Sequence, residues 1–294
     1  MTVQQRLGGF ALGCLLAISP AGCSFNRTES QEVPELPAIA PQSIEPLAAA
    51  DIVFLGETHD SMEDHEAQLE IIKQLYAKNP DLAIGMEMFQ RPYQDMLDRY
   101  IAAEISEEEF LEESQYERLW GFPWELYAPI LRFARENKIP VLALNAPNDA
   151  VSRVAREGLE TLTAEDLVYI PPISELDLSN DNYRNFVQGA FGAHGAHGDF
   201  NFDNFFAAQV IWDETMAAAI TDYRSLNPDS QVVVLAGQGH VIFGYGIPDR
   251  VQRRLGDETN IQKVLLNPNA QFTLYGQAIA DMFWWNDAPE ELSN

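Results

Sequence analysis

The sequence is short of basic residues and of cysteine. Lys and Arg number 18 against 45 Asp and Glu, which gives a formal net charge of −27. This excess of acid argues against nucleic-acid binding, because phosphate contacts need clustered cations. The two cysteines, Cys14 and Cys23, are too few for a disulfide framework or a cysteine metal cage.

Common nucleotide-binding and hydrolase motifs are also missing. The glycine-rich segments lack the Gly-x-Gly-x-x-Gly order and the lysine of a P-loop, which excludes the usual nucleotide sites. No Gly-x-Ser-x-Gly segment is present, which argues against a serine hydrolase of the usual α/β kind. The 46% of hydrophobic residues and 21% of charged residues are typical of a globular protein.

The first 22 residues are typical of an export signal. Their apolar run, at 10–18, is shorter than the roughly 20 residues that a membrane-spanning helix needs. It ends in Ala21-Gly22-Cys23, which resembles a bacterial lipobox whose cysteine is lipidated after cleavage. We therefore expect an exported lipoprotein, anchored through Cys23 on the extracytoplasmic side of a membrane in a bacterial cell envelope. The alternative is a plain secretory signal with an incidental cysteine.

Residues 23–47 are rich in proline and predict a tether, followed by a single domain over 48–294. In that domain short apolar runs alternate with helical patterns, which indicates an α/β fold with a central, mainly parallel sheet. The predicted strands lie at 52–55, 83–86, 140–144, 231–236, 262–266 and 272–275. The predicted helices lie at 62–78, 92–102, 107–115, 125–137, 183–191, 204–223 and 248–255. The helical stretch after the second strand is too long for one crossover, so its surplus predicts a helical subdomain or lid.

Polar side chains follow four of the predicted strands. They include Glu57 and His59 after the first strand, Glu87 after the second, and His240 after the fourth. Because ligands in open parallel sheets bind at the carboxyl ends of the strands, these side chains predict one polar pocket. The alternative is that each residue merely caps a neighbouring helix.

Two predicted helices carry polar residues on an apolar face. His65 falls on the inward face of helix 62–78, where it is either a satisfied core residue or part of the pocket. Asp213 falls on the inward face of helix 204–223 with Gln209 beside it. A buried acid needs a partner, which is either a backbone amide or a histidine of the pocket.

A glycine-rich loop contains His194 and His197. The His-x-x-His spacing can place two imidazoles on one metal, although the motif alone is weak evidence. The same loop could instead close over a ligand, or its histidines could be solvated and without a role.

Taken together, the motifs resemble those of the ChaN-like haem-binding lipoproteins, in a superfamily shared with Tiki-type proteases and erythromycin esterases. The likeness covers residues 48 to 255. The segments that carry it are Phe54-Leu55-Gly56-Glu57-Thr58-His59 with His65, Gly85-Met86-Glu87-Met88-Phe89-Gln90-Arg91-Pro92, Ala208-Gln209 through Trp212-Asp213 to Met216-Ala217, and Gly237-Gln238-Gly239-His240 running into Gly244-Tyr245-Gly246-Ile247-Pro248.

The resemblance implies an α/β protein that binds haem, or a related tetrapyrrole, in iron uptake. It also implies a homodimer in which a tyrosine ligates iron and basic residues hold the propionates. We expect Tyr245 to be the iron ligand, because a phenolate ligates ferric haem. Lysine is scarce, so Arg91 or Arg250 is the expected propionate partner. Further candidates for cofactor contact are His59, His65, His194, His197, Gln209, Asp213 and His240.

The wider superfamily implies an alternative activity for the same pocket. By that resemblance Glu57, His59, Glu87 and His240 would hold a divalent metal or activate water, as in a hydrolase. The chemistry is sound, since a carboxylate makes a neighbouring imidazole a better base and a metal acidifies its bound water.

Overall fold

The computed structural model describes residues 42–193, 201–268 and 279–287. Its centre is a six-stranded sheet in which every pair of neighbouring strands is parallel. The strands are β1 (Ile52–Glu57), β2 (Leu82–Gln90), β3 (Val141–Asn145), β4 (Gln231–Gly237), β5 (Ile261–Leu266) and β6 (Met282–Trp284). Their order across the sheet is β3-β2-β4-β1-β5-β6.

Ten α-helices are assigned in those ranges. They are α1 (Ile44–Ala48), α2 (Met62–Lys78), α3 (Gln94–Ile101), α4 (Glu107–Glu113), α5 (Tyr116–Leu119), α6 (Trp124–Asn137), α7 (Asn148–Glu157), α8 (Asp181–Ala193), α9 (Phe202–Leu226) and α10 (Ile247–Leu255). Capping side chains fix several starts: Ser61 caps α2, Ser106 caps α4 in a capping box, and Asn201 caps α9.

Helices cover both faces of the sheet, as all-parallel sheets require. Alternate residues of β1 point to opposite layers, because side chains alternate along a strand. Val53 and Leu55 pack with α2, α3 and α6, whereas Ile52 and Phe54 pack with α7, α9 and α10. The α/β fold expected from the alternating pattern is therefore confirmed.

The route of the chain gathers the polar strand ends. From β1 the chain crosses to β2 and β3 on one side, then returns to β4 and continues to β5 on the other side. As a result β4 lies between β1 and β2, and the carboxyl ends of these three strands meet where the connections change direction. Such a switch point is where open α/β sheets bind ligands.

The expected helical subdomain is also present, as helices α3 to α6 between β2 and β3. Four elements differ from the sequence-based expectations. Helix α1 lies inside the segment predicted as tether, with Leu47 fully buried, so the folded part starts earlier than 48. Helices α5 and α7 and strand β6 were not predicted. The strand predicted at 272–275 lies outside the described residues.

Cys23, the export signal and most of the predicted tether also lie outside the described residues. Among the helices of the described ranges, none combines the length and the apolar character needed to cross a bilayer.

Candidate functional site

A cavity of about 170 Å³ opens at the carboxyl ends of β1, β2 and β4. Glu57, His59, Glu87 and His240 all line it, so the structure brings together the four residues predicted at the strand ends. Helix α9 contributes Gln209 and Trp212 to the wall. The α3–α6 subdomain contributes Leu119, Trp120 and Phe122, so it covers the strand ends as a lid would.

Glu57 is the centre of the first polar network in this wall. Its carboxylate is buried and accepts hydrogen bonds from His59 Nδ1 at 2.8 Å, Gln68 Nε2 at 2.6 Å and the Tyr127 hydroxyl at 2.7 Å. Burial alone would raise the pKa of Glu57, but the His59 hydrogen bond and the charge of His65 outweigh it and lower that pKa.

His59 is oriented by this carboxylate. Burial lowers the pKa of His59, but the hydrogen bond to Glu57 and the charge of Glu87 prevail and raise it. Because Nδ1 is engaged by Glu57, Nε2 is the nitrogen left for the cavity. That edge of the ring lies against Gly237, where an added Cβ would come within 2.9 Å of Nε2.

His65 lies behind this network rather than in the cavity wall. It is buried, and its two ring nitrogens face Gln68 Oε1 and the His59 carbonyl oxygen, both at 3.1 Å. His65 therefore does not line this cavity, and its contact with a ligand stays a prediction. Its side chain positions Gln68, which in turn holds Glu57.

Asp213 and His240 form the second network. The partner of Asp213, the buried acid of α9, is a histidine of the pocket. Asp213 Oδ1 accepts a hydrogen bond from His240 Nδ1 at 2.7 Å. The Tyr183 hydroxyl donates to the other oxygen of Asp213, so both carboxylate oxygens are occupied. Asp213 is fully buried behind His240 and does not line the cavity.

Glu87 faces His240 from the other side. Its Oε1 lies 3.6 Å from His240 Nε2, and its Oε2 accepts a hydrogen bond from the Gly237 amide at 2.7 Å. Burial works against the charged imidazole, but Glu87 and Asp213 outweigh it and raise the pKa of His240 to about 9. His240 therefore carries a proton at neutral pH.

The cavity thus presents two imidazoles, each held at Nδ1 by its own buried carboxylate. This arrangement fixes the orientation of both rings and can support acid–base chemistry on a bound molecule.

The expected divalent metal finds no support in this geometry. Within the ranges that the structure describes, no three or more His, Cys, Asp or Glu side chains are grouped so as to hold a metal ion. The physical reason is that the carboxylates are already engaged, Glu57 by three side chains and Glu87 by the Gly237 amide. Glu57, His59, Glu87 and His240 therefore remain candidates for hydrogen bonding and proton transfer.

One other predicted contact residue, Tyr245, has a different position. Tyr245 does not line this cavity; it is half-buried beside the α9 layer and stacks on Phe243, with ring centroids 5.3 Å apart. His194 and His197 lie outside the described residues.

Sequence reasoning missed several residues of the site. Gln68 and Tyr127 hold Glu57, while Trp120 and Trp212 form aromatic walls next to the two imidazoles. Gln68 carried one usable signal, since it lies three residues after His65 and so shares its face of α2. Tyr127 and Trp120 carried none, because buried aromatics are ordinary core residues, and Trp212 stood out only as part of the segment 208–217 that resembles the family.

Comparison with known proteins bears on the same region. The family model described as "Haem-binding uptake, Tiki superfamily, ChaN" matches residues 43–251. The solved structure of ChaN of Campylobacter jejuni, titled for its cofacial haem binding, has a TM-score of 0.62 at 20% identity and covers 82% of this chain and 89% of that chain. At this identity the likeness concerns the fold.

A plant protein also matches. Protein RETICULATA-RELATED 5, chloroplastic, of Arabidopsis thaliana is 26% identical over 263 residues, which cover 83% of this chain. The chain spans about a third of the length of that relative, 35%. A weaker structural likeness, with a TM-score of 0.45 and 17% identity, is to a mutant of the erythromycin esterase EreC and covers 76% of this chain and 70% of that one.

Proposed function

Because the chain belongs to the haem-binding uptake family of the Tiki superfamily, the ChaN family, we propose that it binds haem in iron or haem uptake. The observation that carries this proposal is the match of the family model over residues 43–251, which includes both polar networks and the Tyr245 segment.

The polar cavity is too small for this ligand. Its volume of about 170 Å³ is well below the roughly 300–1,000 Å³ of pockets that enclose drug-sized molecules. Haem therefore does not fit this cavity, and we place it against an outer surface, with one face covered by the protein or by a second copy of the chain.

Tyr245 has the features of a ligand at such a surface. Its side chain is half-buried, and its ring stacks on that of Phe243 at an interplanar angle of 20°. A phenolate oxygen is an axial ligand that ferric haem accepts. The residues around Tyr245 therefore fit an iron tetrapyrrole.

The basic partner for a propionate is Lys263 rather than Arg250. Arg250 is fully buried and donates to the carbonyl oxygens of Tyr245 and Gly246, so its role is structural. Arg91 lies elsewhere, paired with Asp222. Lys263 lies next to Gly244, within about 4 Å of the position that a Cβ there would occupy, and pairs at 3.2 Å with Asp281.

A haemin titration followed by absorbance tests the proposal. We expect a Soret shift at micromolar haemin together with a charge-transfer band typical of phenolate ligation. The band should vanish in Tyr245→Phe and persist in Tyr76→Phe, since Tyr76 is a half-buried tyrosine that packs on the opposite face of the sheet. Absence of a Soret shift in the wild-type protein would refute haem binding.

We further propose that the protein is held at a bacterial membrane through lipidated Cys23 and that it works as a homodimer. The lipobox-like sequence supports the first part, and the need to cover a surface-bound haem supports the second. Cys23→Ser should move the protein from the membrane fraction to the soluble fraction. Haemin should shift the mass measured by sedimentation from monomer to dimer, and an unchanged mass would argue against the dimer.

A second candidate function is hydrolysis without a metal. The observation that favours it is the pair of carboxylate-held imidazoles in one cavity. When neutral, His59 would take a proton from water at Nε2 as the water oxygen attacks a carbonyl carbon, and protonated His240 would stabilise the developing negative charge. The bond to the leaving alcohol or amine would then break, and His59 would return its proton to that leaving group. Ester and amide libraries assayed in EDTA test this activity, with His59→Gln and His240→Gln as variants. If both variants turn over substrate as fast as the wild-type protein does, this activity is excluded.

A further inference from the structure

Polar atoms that lack a hydrogen-bond partner are concentrated around the cavity. Among the residues that the structure describes, eight buried side-chain nitrogen or oxygen atoms have no partner. Four of them belong to side chains that line this one cavity: Gln90 Nε2, Trp120 Nε1, Gln209 Oε1 and Trp212 Nε1. All four side chains are more than nine-tenths buried, so bulk water does not satisfy these atoms.

Such clustering requires a reason. A buried donor or acceptor without a partner costs free energy, and native proteins contain only a few of them. The other tryptophan of the lid shows the ordinary outcome, because Trp124 donates its indole N–H to Glu107 at 2.9 Å. Trp120 and Trp212 have no partner within hydrogen-bond distance, although both lie at a polar cavity and Trp120 faces the Tyr127 hydroxyl. A ligand that bears hydrogen-bonding atoms would supply what is missing.

The unpartnered atoms indicate the chemistry of that ligand. Three are donors and one is an acceptor, so the ligand needs mainly acceptor atoms. The free atom of Gln90 is its donor, Nε2, because Gln90 Oε1 already accepts a hydrogen bond from the backbone N–H of Asn148. A carbonyl oxygen has two lone pairs and can accept hydrogen bonds from two such donors.

The charges of the wall indicate that the ligand is neutral. Glu57 and Glu87 line the cavity, together with the exposed Asp60, and repel an anion. His59 and His240 line it as well and repel a cation. Because charges of both signs lie close together in the wall, neither an anion nor a cation gains net electrostatic stabilisation there. A neutral group with a dipole can contact both the carboxylates and the imidazoles.

The size and the walls narrow the class further. The volume of about 170 Å³ is close to that of an engineered cavity of about 150 Å³ that binds benzene. Trp120, Phe122 and Trp212 give the cavity aromatic walls. We propose that the cavity binds a neutral molecule, or the end of one, with about six to ten non-hydrogen atoms and a carbonyl oxygen, held by the indole N–H groups of Trp120 and Trp212 and the amide of Gln90.

This cavity is separate from the surface around Tyr245. For the second candidate function, hydrolysis, the proposal gives the class of substrate: small neutral molecules with a carbonyl group. Binding and turnover are different measurements. A cavity that binds without turnover would reject hydrolysis and keep this proposal, and loss of haem binding would affect neither.

Three molecules of one shape and different charge test the proposal: benzamide, benzoate and benzamidinium. We would follow the tryptophan indole N–H resonances of the full chain by NMR at pH 7. Benzamide should shift the Trp120 and Trp212 signals at millimolar concentration. Benzoate and benzamidinium should need a concentration at least about tenfold higher to give the same shift. The Trp124 signal should stay in place, because its N–H is already donated to Glu107.

Removing one donor at a time provides the matched variants. Trp120→Phe and Trp212→Phe should each weaken benzamide binding about three- to tenfold, the cost of one hydrogen bond. Trp285→Phe, at the far edge of the sheet, should bind as the wild type does, and an unshifted Trp124 signal shows that each variant is folded. The proposal is wrong if benzamide moves neither indole signal, if either ion binds more tightly than benzamide, or if both cavity variants keep wild-type affinity.

Discussion

At the scale of single residues, His240 is held in its charged form by two carboxylates. Although burial lowers its pKa, Glu87 and Asp213 prevail and raise it from 6.5 to about 9. Asp213→Asn should therefore lower the pKa of His240 by at least about one unit, since it removes one of the two charges. This pKa is measured by following the Cε1–H resonance of His240 by NMR between about pH 5 and pH 10, in steps of about half a pH unit.

Asp222→Asn is the control for that change. Asp222 is an acid of the same helix, but its side chain is mostly exposed and pairs with Arg91. It should leave the His240 titration unchanged. An Asp213→Asn protein whose His240 still titrates near pH 9 would show that Asp213 does not stabilise the charge.

The raised pKa of His240 also sets a pH dependence of stability. The folded protein holds this proton more tightly than the unfolded chain, so the stabilisation is complete below pH 6.5 and is lost as pH rises through about 9. The shift corresponds to a loss on the order of 3 kcal/mol in the free energy of unfolding. Urea denaturation at several pH values measures the slope, which should be smaller in His240→Gln. Equal slopes in the two proteins would assign the loss to other groups.

Gly237 is required by its neighbour rather than by its own backbone. Its φ of −54° is open to any residue, but a Cβ would lie 2.9 Å from His59 Cε1 and Nε2. Gly237→Ala should displace the imidazole and lower the free energy of unfolding by about 1–3 kcal/mol. Gly189→Ala on α8 is the matched control, because a Cβ there meets nothing within 4 Å. That change should raise stability by about 0.5–1 kcal/mol. If Gly237→Ala leaves the free energy of unfolding unchanged, the His59 imidazole moves aside without cost.

The residues of the site were predictable where their type was unusual for their position. Glu57 and Glu87 stand directly after apolar runs, and Asp213 interrupts the apolar face of a helix, so each could be singled out. Trp120 and Trp212 could not be, because an aromatic residue in a buried position needs no special explanation. Their lack of partners became visible only with the neighbours in place.

At the scale of elements, Glu107 joins two helices of the lid. It lies at the start of α4, accepts from Trp124 Nε1 at 2.9 Å, and pairs with Arg132 of α6. The Arg132 hydrogen bond, opposed by burial and aided by Trp124, lowers the pKa of Glu107 to about 2.

Glu107→Gln should therefore weaken the attachment of α4 to α6. Because Arg132 is largely exposed, we expect a cost of only about 1 kcal/mol, present above pH 4.5 and lost as pH falls through about 2. Hydrogen exchange should become faster in α4 and in the first turn of α6, while β1 and β4 stay protected. Glu108→Gln, a change at an exposed neighbour, should alter neither rate. Equal exchange in both variants would remove Glu107 as the link.

Helices with a capping side chain were predicted closely, and the helical pattern alone was enough for α3, α6 and α10, which have none. Helices α1, α5 and α7 were missed. Ser61 before α2 and Ser106 before α4 marked the starts that the structure has. Helix α7 begins after Pro147 without a capping side chain, and α1 has only 5 residues in a proline-rich stretch. The apolar residues of β6 were visible, but three residues are too few for a strand pattern.

At the scale of the whole molecule, strand order decides which polar residues meet. Glu57, Glu87 and His240 are far apart in the sequence, and they come together because β4 lies between β1 and β2. Alternating apolar runs predict a parallel sheet, yet they do not specify that order, since each strand is equally apolar. The order depends on which helix covers which face, and therefore on packing that spans the whole chain.

The net charge of −27 leads to a prediction for the molecule as a whole. With 45 acidic and 18 basic side chains, most charges on the surface repel one another, and folding brings them closer together. Salt screens this repulsion over distances of about 10 Å at 0.1 M, while the buried pairs around Glu57 and Asp213 are screened much less. The free energy of unfolding in urea should therefore rise with NaCl, by on the order of 1 kcal/mol between about 0.02 M and 0.5 M. KCl at equal ionic strength should give the same rise, which separates screening from binding of a particular ion. If stability instead falls with salt, exposed ion pairs such as Arg132 with Glu107 outweigh the repulsion among the acids.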